Sequence, residues 1–494
     1  MKNSLPQLAL ISITMACVLL TSCAGPPKRV TPEWTTALPG NWSSPVVVLE
    51  QAHSGWLTTF NDPQLEALVA EAILNNPDIK ASAARIDQAL AEARKAGVAL
   101  MPQIDASANG SRNQTINRAG SFGGGGFDDF DNFFVTRNNS LGISLDLTWE
   151  LDVWGRVKKG QSAAIADSQA ATYEFQSARL SLASQVAKAW FSAQEQYLQH
   201  QLALETFESF TRTAEITQSR FERGLQSATD VHLSKSSAAS ARASLDNTKL
   251  TYHQAVRSLE ILLGRYPSQE LEISTDLNAV PPPVPAGVPS DLILRRPDLL
   301  AAERRLAASD KRVSQARAAF LPRFALTASG GTSSDALRDL VDPKHFVWNF
   351  LVNLTQPLID GGSRRADLDR NKAAVLEAAE NYRGTALTAF KEVEDALDAE
   401  GLLESREAAL LDAAEQGRMA YERAESEYRQ GLTGIITVLD AQRRYLDSRR
   451  SYLTVKRIRL DNRINLHLAL GGDFKPTQNT IENSDPIAQT EPTL

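Results

Sequence analysis

Four stretches of the chain alternate apolar and polar residues with a period of two. In 141–149, Leu141, Ile143, Leu145, Leu147 and Trp149 fall on one side, and Gly142, Ser144, Asp146 and Thr148 on the other. In 346–354, Phe346, Trp348, Phe350, Val352 and Leu354 share a side, opposed by Val347, Asn349, Leu351 and Asn353. Two shorter runs precede them: Ile104, Ala106 and Ala108 against Asp105, Ser107 and Asn109, and Phe324, Leu326 and Ala328 against Ala325, Thr327 and Ser329. Such runs predict β-strands with one apolar face. At about ten residues they have the length of transmembrane strands, although a soluble sandwich also alternates. Aromatic residues near the strand ends (Trp149, Phe346, Trp348) and a Gly- and Asp-rich connection over Asn113–Asn138 favour the membrane reading.

Between the strands the period changes to helical. One helix is expected over about Gln64–Leu100, after the start signal Asp62-Pro63. Val157–Glu222 contains no proline and one glycine, Gly160, and Arg364–Arg429 repeats that length; as helices each would be roughly 100 Å long. Leu180, Ala183, Ala187, Trp190, Tyr197 and Leu204 keep a three-four register, and Leu439, Leu446, Leu453 and Leu460 recur every seven residues. Sustained sevens mean helix packed on helix.

The order strand, strand, long helix, helix occurs twice because the chain repeats itself. Asn75–Gly110 aligns with Arg295–Gly330 at an offset of 220, and Phe221-Glu-Arg-Gly224-Leu225 aligns with Tyr428-Arg-Gln-Gly431-Leu432 at an offset of 207. The expected organisation is therefore a signal peptide (1–22), an extended lipid-anchored arm (23–63), a first repeat (64–280), a Pro-rich linker (281–289), a second repeat (290–474) and a polar disordered tail (475–494). The fold class is mixed α and β: long antiparallel coiled-coil helices with four transmembrane strands per protomer. Four strands cannot close a barrel, and open sheet edges are not tolerated in hydrocarbon, so the membrane reading requires several copies.

Composition narrows the compartment. Met1-Lys2, the apolar stretch Leu5–Leu20 and Leu20-Thr21-Ser22-Cys23 read as a secretory signal ending at a lipidated cysteine, Cys23. Cys17 lies inside that signal, so the mature chain keeps one cysteine and forms no internal disulfide. A net charge of −7 argues against nucleic acid as a partner. Six scattered histidines show no metal-ligand spacing, and Gly155–Ser162 lacks the lysine of a phosphate-binding loop. No enzyme and no cofactor is expected, apart from covalent lipid on Cys23.

Larger motifs then carry a resemblance. Trp56 with Phe60-Asn-Asp-Pro-Gln-Leu65, Asn76-Pro-Asp78, Trp149-Glu-Leu-Asp-Val-Trp-Gly-Arg156, Pro357-Leu-Ile-Asp-Gly-Gly362 and Tyr428 with Gly431 and Thr437-Val-Leu-Asp-Ala-Gln442 are similar to the TolC/OprM outer-membrane efflux proteins, in their NodT-type lipoprotein branch. The resemblance spans residues 56–474 in both repeats. It implies a homotrimer, with a twelve-stranded barrel in the bacterial outer membrane and a twelve-helix periplasmic α-barrel. It also implies a passive exit duct for small molecules, working with a periplasmic membrane-fusion adaptor and an inner-membrane transporter of the RND class. A duct for type I polypeptide secretion and a lipid-anchored coiled-coil spacer are the alternatives.

Two sites follow. Gly224-Leu225 and Gly431-Leu432 sit where long helices must reverse, and a glycine there supplies the positive φ of the turn; in the family these tips face the adaptor. Ile436 and Asp440 match the family's apolar and acidic ring positions at the periplasmic gate. Their i, i+4 spacing puts them on one helix face. Asp440 also has Arg443 and Arg444 within reach, and so also reads as a solvated ion pair. The first-repeat counterpart of Asp440 is Leu233, which makes any gate asymmetric, and His232 and Lys235 beside it have no assigned role.

Overall fold

The computed structural model describes residues 42–43, 55–118, 133–274, 277, 279–284, 292–293 and 295–472. The signal, Cys23, most of the arm, the Gly123–Gly126 run, most of the linker and the tail lie outside the described residues. The described residues divide into two compact units, each built from discontinuous pieces of both sequence repeats: those within 92–165 and 306–380, and those within 36–91, 166–305 and 381–472.

In chain order the elements are α1 (Pro63–Asn75), α2 (Pro77–Val98), β1 (Gln103–Arg118), β2 (Phe133–Leu151), α3 (Arg156–Glu222), α4 (Ala228–Leu262), α5 (Pro297–Ala318), β3 (Arg323–Ser334), β4 (Phe346–Thr355), α6 (Ser363–Arg429) and α7 (Ile435–Ala469). Both long helices, α3 and α6, run for 67 residues.

The single helix expected over Gln64–Leu100 is two. Asn76 precedes a proline and takes an extended conformation (φ −60°, ψ 127°) that ends α1. Its side chain starts α2 by accepting from the Asp78 and Ile79 amides at 2.8 and 3.3 Å. Pro77, which has no N–H to satisfy, occupies the first helical position.

The first unit holds one antiparallel sheet in the order β1-β2-β3-β4. Its register sets Ile104, Leu147, Ala328 and Phe350 in one row, Ala106, Leu145, Gly330 and Trp348 in the next, and Ala108, Ile143, Thr332 and Phe346 in a third. Directly paired residues share a face, so the apolar positions of all four strands form one continuous surface. Rows such as Asp105, Asp146, Ser329 and Asn349 make the opposite, largely polar face, into which β4 also puts Val347 and Leu351.

β1 and β2 extend further than the alternation suggests. Residues 113–118 and 133–138, expected in a loop, pair in register through contacts such as Gln114 with Arg137, whose side chains are also bonded at 3.0 Å. Main-chain pairing needs no apolar alternation: the rows pairing Arg112 with Asn139, Asn113 with Asn138, Gln114 with Arg137 and Thr115 with Thr136 are polar, and the apolar face resumes only at Ile116 paired with Val135.

The second unit carries the helical core. Leu65, Ala183, Val186, Trp190, Phe191, Leu259, Leu460 and Ile464 are its fully buried centre, and Leu299, Ala386, Ala389, Val393 and Leu466 form a second cluster. The repeat is visible in how the shorter helices end. A Cβ on Gly264 would lie 2.8 Å from the Asn75 carbonyl oxygen, and one on Gly471 would lie 3.3 Å from that of Arg295. Beside these joints, Asn76 Nδ2 donates to the Leu262 carbonyl at 2.9 Å, and Arg296 Nη1 donates to the Ala469 carbonyl at 3.2 Å. The same joint is made twice, at the same two offsets, with different side chains.

Candidate functional site

Both predicted helix reversals are present, and they are built alike. Gly224 and Gly431 have φ of 72° and 79°. The Leu225 amide donates to the Arg220 carbonyl and the Leu432 amide to the Glu427 carbonyl, each at 2.9 Å. These are six-to-one bonds that close the ends of α3 and α6 around a left-handed glycine. Leu225 and Leu432 then stand 64% and 72% exposed, apolar side chains facing solvent. The two turns differ in how the next helix begins. Ser227 caps α4, accepting from the Asp230 amide at 3.2 Å while its hydroxyl donates to the Asp230 carboxylate at 2.8 Å. Gly434 starts α7 with no side-chain cap. His232 and Lys235 are exposed on α4.

Behind the second tip, Ile435, Val438 and Leu439 turn inward against Ala424 and Tyr428. That leaves Ile436 and Asp440 on the outer face of α7, with Ile436 66% exposed. Of the two arginines within reach, Arg444 takes Asp440, its Nε donating to the carboxylate at 2.9 Å. Both side chains are more than half exposed, and such a pair contributes about 0–1 kcal/mol. The carboxylate is therefore available to other cations at little cost.

The two tips are tied together by Arg220. Its Nη1 donates to the Tyr428 carbonyl at 2.9 Å, and its guanidinium sits 4.9 Å from the centre of the Tyr428 ring. Next to it the Thr217 and Tyr428 hydroxyls meet at 3.2 Å, and Gln442 on α7 donates to the Ser209 hydroxyl at 2.8 Å. No periodicity reports this contact between α3 and α6, whose members lie about two hundred residues apart.

The other candidate surface is the sheet. Ile143, Leu145, Phe346, Trp348, Phe350, Val352 and Leu354 are exposed on its apolar face, while Leu141, Leu147 and Trp149 are half-buried. The Trp149 indole donates to the Leu100 carbonyl at 2.9 Å, so this ring is fixed at the end of the sheet where the helices begin. On the polar face Ser107 and Ser144 both donate to the Asp146 carboxylate, at 2.7 and 3.1 Å. β1 and β4 are the edge strands: among the described residues each pairs on one side only, β1 with β2 and β4 with β3.

The helical unit also buries charge. Glu195 accepts from Arg457 Nε and from the Thr454 hydroxyl, both at 2.6 Å. Arg457 also bonds Asp461, whose carboxyl is pushed up to about 6 by burial, against the opposing pull of Arg457 and Lys188. His467 stacks on Trp56 with ring centres 5.8 Å apart; burial, helped by the Arg463 charge, drives it down to about 4. Arg463 itself is held by Glu400 at 2.6 Å and by the Pro282 carbonyl at 2.8 Å. Among the described residues no cluster of His, Cys, Asp and Glu could hold a metal ion, and no helix is long and apolar enough to cross a membrane.

The described residues thus present a sheet with one continuous apolar face and two helical hairpins with exposed leucines at their tips. The family model for outer membrane efflux proteins matches residues 68–265 and 288–472. The chain belongs to that family. Among relatives of this outer membrane efflux protein, the probable efflux pump outer membrane protein TtgC of Pseudomonas putida is 30% identical over 94% of this chain and 96% of its own. The cation efflux system protein CusC of Escherichia coli is 30% identical over 85% of this chain and 89% of its own. The solved CmeC outer membrane channel of Campylobacter jejuni superposes with a TM-score of 0.82 at 25% identity, covering 92% of this chain and 96% of that one. The family and its structural neighbours are channel proteins and not enzymes, and they lie in the outer membrane and extend into the periplasm. The chain is accordingly an outer-membrane efflux channel protein.

Proposed function

We propose that the protein is the passive exit duct of a tripartite efflux pump. Three copies close a twelve-stranded barrel in the outer membrane and a twelve-helix tunnel in the periplasm. The observation that carries this reading is the four-stranded sheet with a continuous apolar face and two unpaired edges. Each unpaired amide in hydrocarbon costs several kcal/mol, and joining β1 of one copy to β4 of the next removes both edges. A coiled-coil spacer has no use for such a sheet.

The remaining roles follow from the surfaces. The exposed Leu225 and Leu432 at the tips dock a periplasmic adaptor, which couples the duct to an inner-membrane transporter of the RND class. Ile436 and Asp440 form two rings at the periplasmic mouth, one apolar and one acidic, that close the resting duct and favour cations. Cys23 carries the lipid that holds the arm to the outer membrane. Small molecules are the cargo, with the transporter choosing among them.

The test is accumulation of a fluorescent efflux dye in cells lacking the protein. Deletion is expected to raise accumulation, and the intact gene on a plasmid to restore it. If dye levels stay unchanged while a secreted polypeptide is retained, the polypeptide-export duct is the correct reading.

A further inference from the structure

All four strand–helix junctions lie at one end of the sheet: α2 to β1, β2 to α3, α5 to β3 and β4 to α6. Each junction leaves an apolar side chain in solvent. They are Met101, Val153, Phe320 and, in the last, both Leu358 (85% exposed) and Ile359 (94% exposed). Apolar residues exposed this fully are costly in water but suit the boundary between headgroups and acyl chains.

A cavity of about 330 Å³ opens at this same end, between the first turns of α3 and α6 and the last turns of α5. Four guanidiniums line it (Arg156, Arg312, Arg364 and Arg370) against a single carboxylate, Asp367, which pairs with Arg370 at 3.4 Å on exposed side chains. Two of them are held in place from behind. Glu150 takes Arg156 through two parallel bonds, at 3.0 and 2.7 Å. Arg364 donates to Asp360 at 2.6 Å and to the Pro357 carbonyl at 2.7 Å, and its guanidinium lies 5.5 Å from the Phe320 ring centre. Those bonds use Nε and Nη2 of each side chain. Among the described residues Nη1 of Arg156 and of Arg364 meets no protein acceptor.

The helix amides are already occupied. Asp152 accepts from the Val157 and Lys158 amides at 2.9 and 2.8 Å, and Asp360 accepts from Gly362 and Arg364, both at 3.1 Å. An anion in the cavity is therefore bound by guanidinium groups, whose planar fork fits phosphate oxygens.

We propose that this cavity binds the phosphate of an anionic phospholipid from the inner leaflet of the outer membrane. The acyl chains lie along the apolar sheet face and the junction residues Leu358 and Ile359. Fixed donors, net positive lining and adjoining apolar fingers together select a charged phosphate that carries lipid tails. The site rests on the sheet lying in the outer membrane, not on the duct reading, and it anchors the sheet at a set depth.

The test is native mass spectrometry of the purified full-length protein in an uncharged detergent, titrated with dioleoylphosphatidylglycerol. Parallel titrations use dioleoylglycerol, which has the same tails and no phosphate, and inorganic phosphate. The phosphatidylglycerol adduct is expected to be the tightest of the three. Arg312→Gln with Arg370→Gln, both on exposed side chains, is expected to weaken it about tenfold. Arg312→Lys with Arg370→Lys keeps the charge and is expected to stay within about threefold; Lys235→Gln, on α4, changes nothing. Equal phosphatidylglycerol affinity in the parent and the double Gln variant overturns the proposal, provided circular dichroism shows both folded. Dioleoylglycerol binding as tightly overturns the phosphate site, and inorganic phosphate binding as tightly overturns the lipid source.

Discussion

Arg220 near the end of α3 reaches the end of α6, donating to the Tyr428 carbonyl at 2.9 Å while covering the Tyr428 ring at 4.9 Å. One side chain thus serves a carbonyl at a helix terminus and an aromatic face, and couples the two hairpins that are proposed to frame the periplasmic mouth. Arg220→Ala removes both contacts and is expected to lower stability by about 1–3 kcal/mol. It should also make the duct leakier, read as increased uptake of a large antibiotic by otherwise wild-type cells. Arg220→Lys keeps the charge without the planar fork and should fall between the two.

Asp440 is expected to set charge preference at the mouth. Asp440→Asn in reconstituted protein should lower the cation-to-anion permeability ratio several-fold, whereas Arg444→Ala, which only releases the carboxylate from its surface pair, should keep or raise it. Reversal potentials in a salt gradient measure this. An unchanged ratio in Asp440→Asn would remove the acidic ring from the account.

Facing in the sheet is testable with single lysines. Leu145 lies on the apolar face in a row with Gly330 and Trp348, and Thr148 lies on the other face in a row with Gln103 and Thr327. Leu145→Lys should cost about 2–4 kcal/mol and reduce assembly into the membrane, while Thr148→Lys should assemble nearly as the parent. Trp149, although on the apolar face, is a poorer probe, because its replacement also removes the bond to Leu100. The yield of heat-modifiable protein in outer-membrane fractions gives the comparison.

His467 and Asp461 have opposite effects on stability against pH. His467 titrates near 4 in the fold against 6.5 when free, so between those values only the unfolded chain takes up its proton; its contribution is lost as pH falls through that window. Asp461 titrates near 6 in the fold against 3.8 when free, so the fold holds a proton that the unfolded chain releases; stability from this group rises as pH falls from 6 to 3.8. The parent should therefore vary little between pH 6 and 4 on account of this pair. His467→Phe, which keeps a ring on Trp56, should be stabilised relative to the parent by up to about 3 kcal/mol as pH falls from 6.5 to 4. Unfolding midpoints of the two proteins across that range decide it, and parallel curves would show that His467 does not titrate as described.

The parts legible in the sequence were those whose signal is local. Period-two alternation placed Leu141–Trp149 and Phe346–Leu354 on strands with the facing that the ladder has, because a pleat admits no other arrangement. Uninterrupted helix-forming sequence gave α3 and α6 to within a residue of their ends. The break at Asn76 was signalled by Pro77 but was overridden by the apolar periodicity on both sides of it. The outer ends of β1 and β2 were not legible, since residues such as Asn113 and Asn138 pair through the backbone without an apolar alternation to announce them. The tips were legible from their glycines. The Arg220 clamp and the arginine cavity were not, because their members come from helices far apart in the chain; Arg156 and Tyr428 fall within family motifs, but no motif or period links them to their partners.

The central claim is that copies of this chain close a conducting pore. Purified protein reconstituted into a planar lipid bilayer should give discrete conductance steps, with cross-linked trimers as the species that inserts and with longer openings in Ile436→Gly than in the parent. Protein that assembles in outer membranes but gives no steps in either form would contradict the duct and leave a structural role in the envelope.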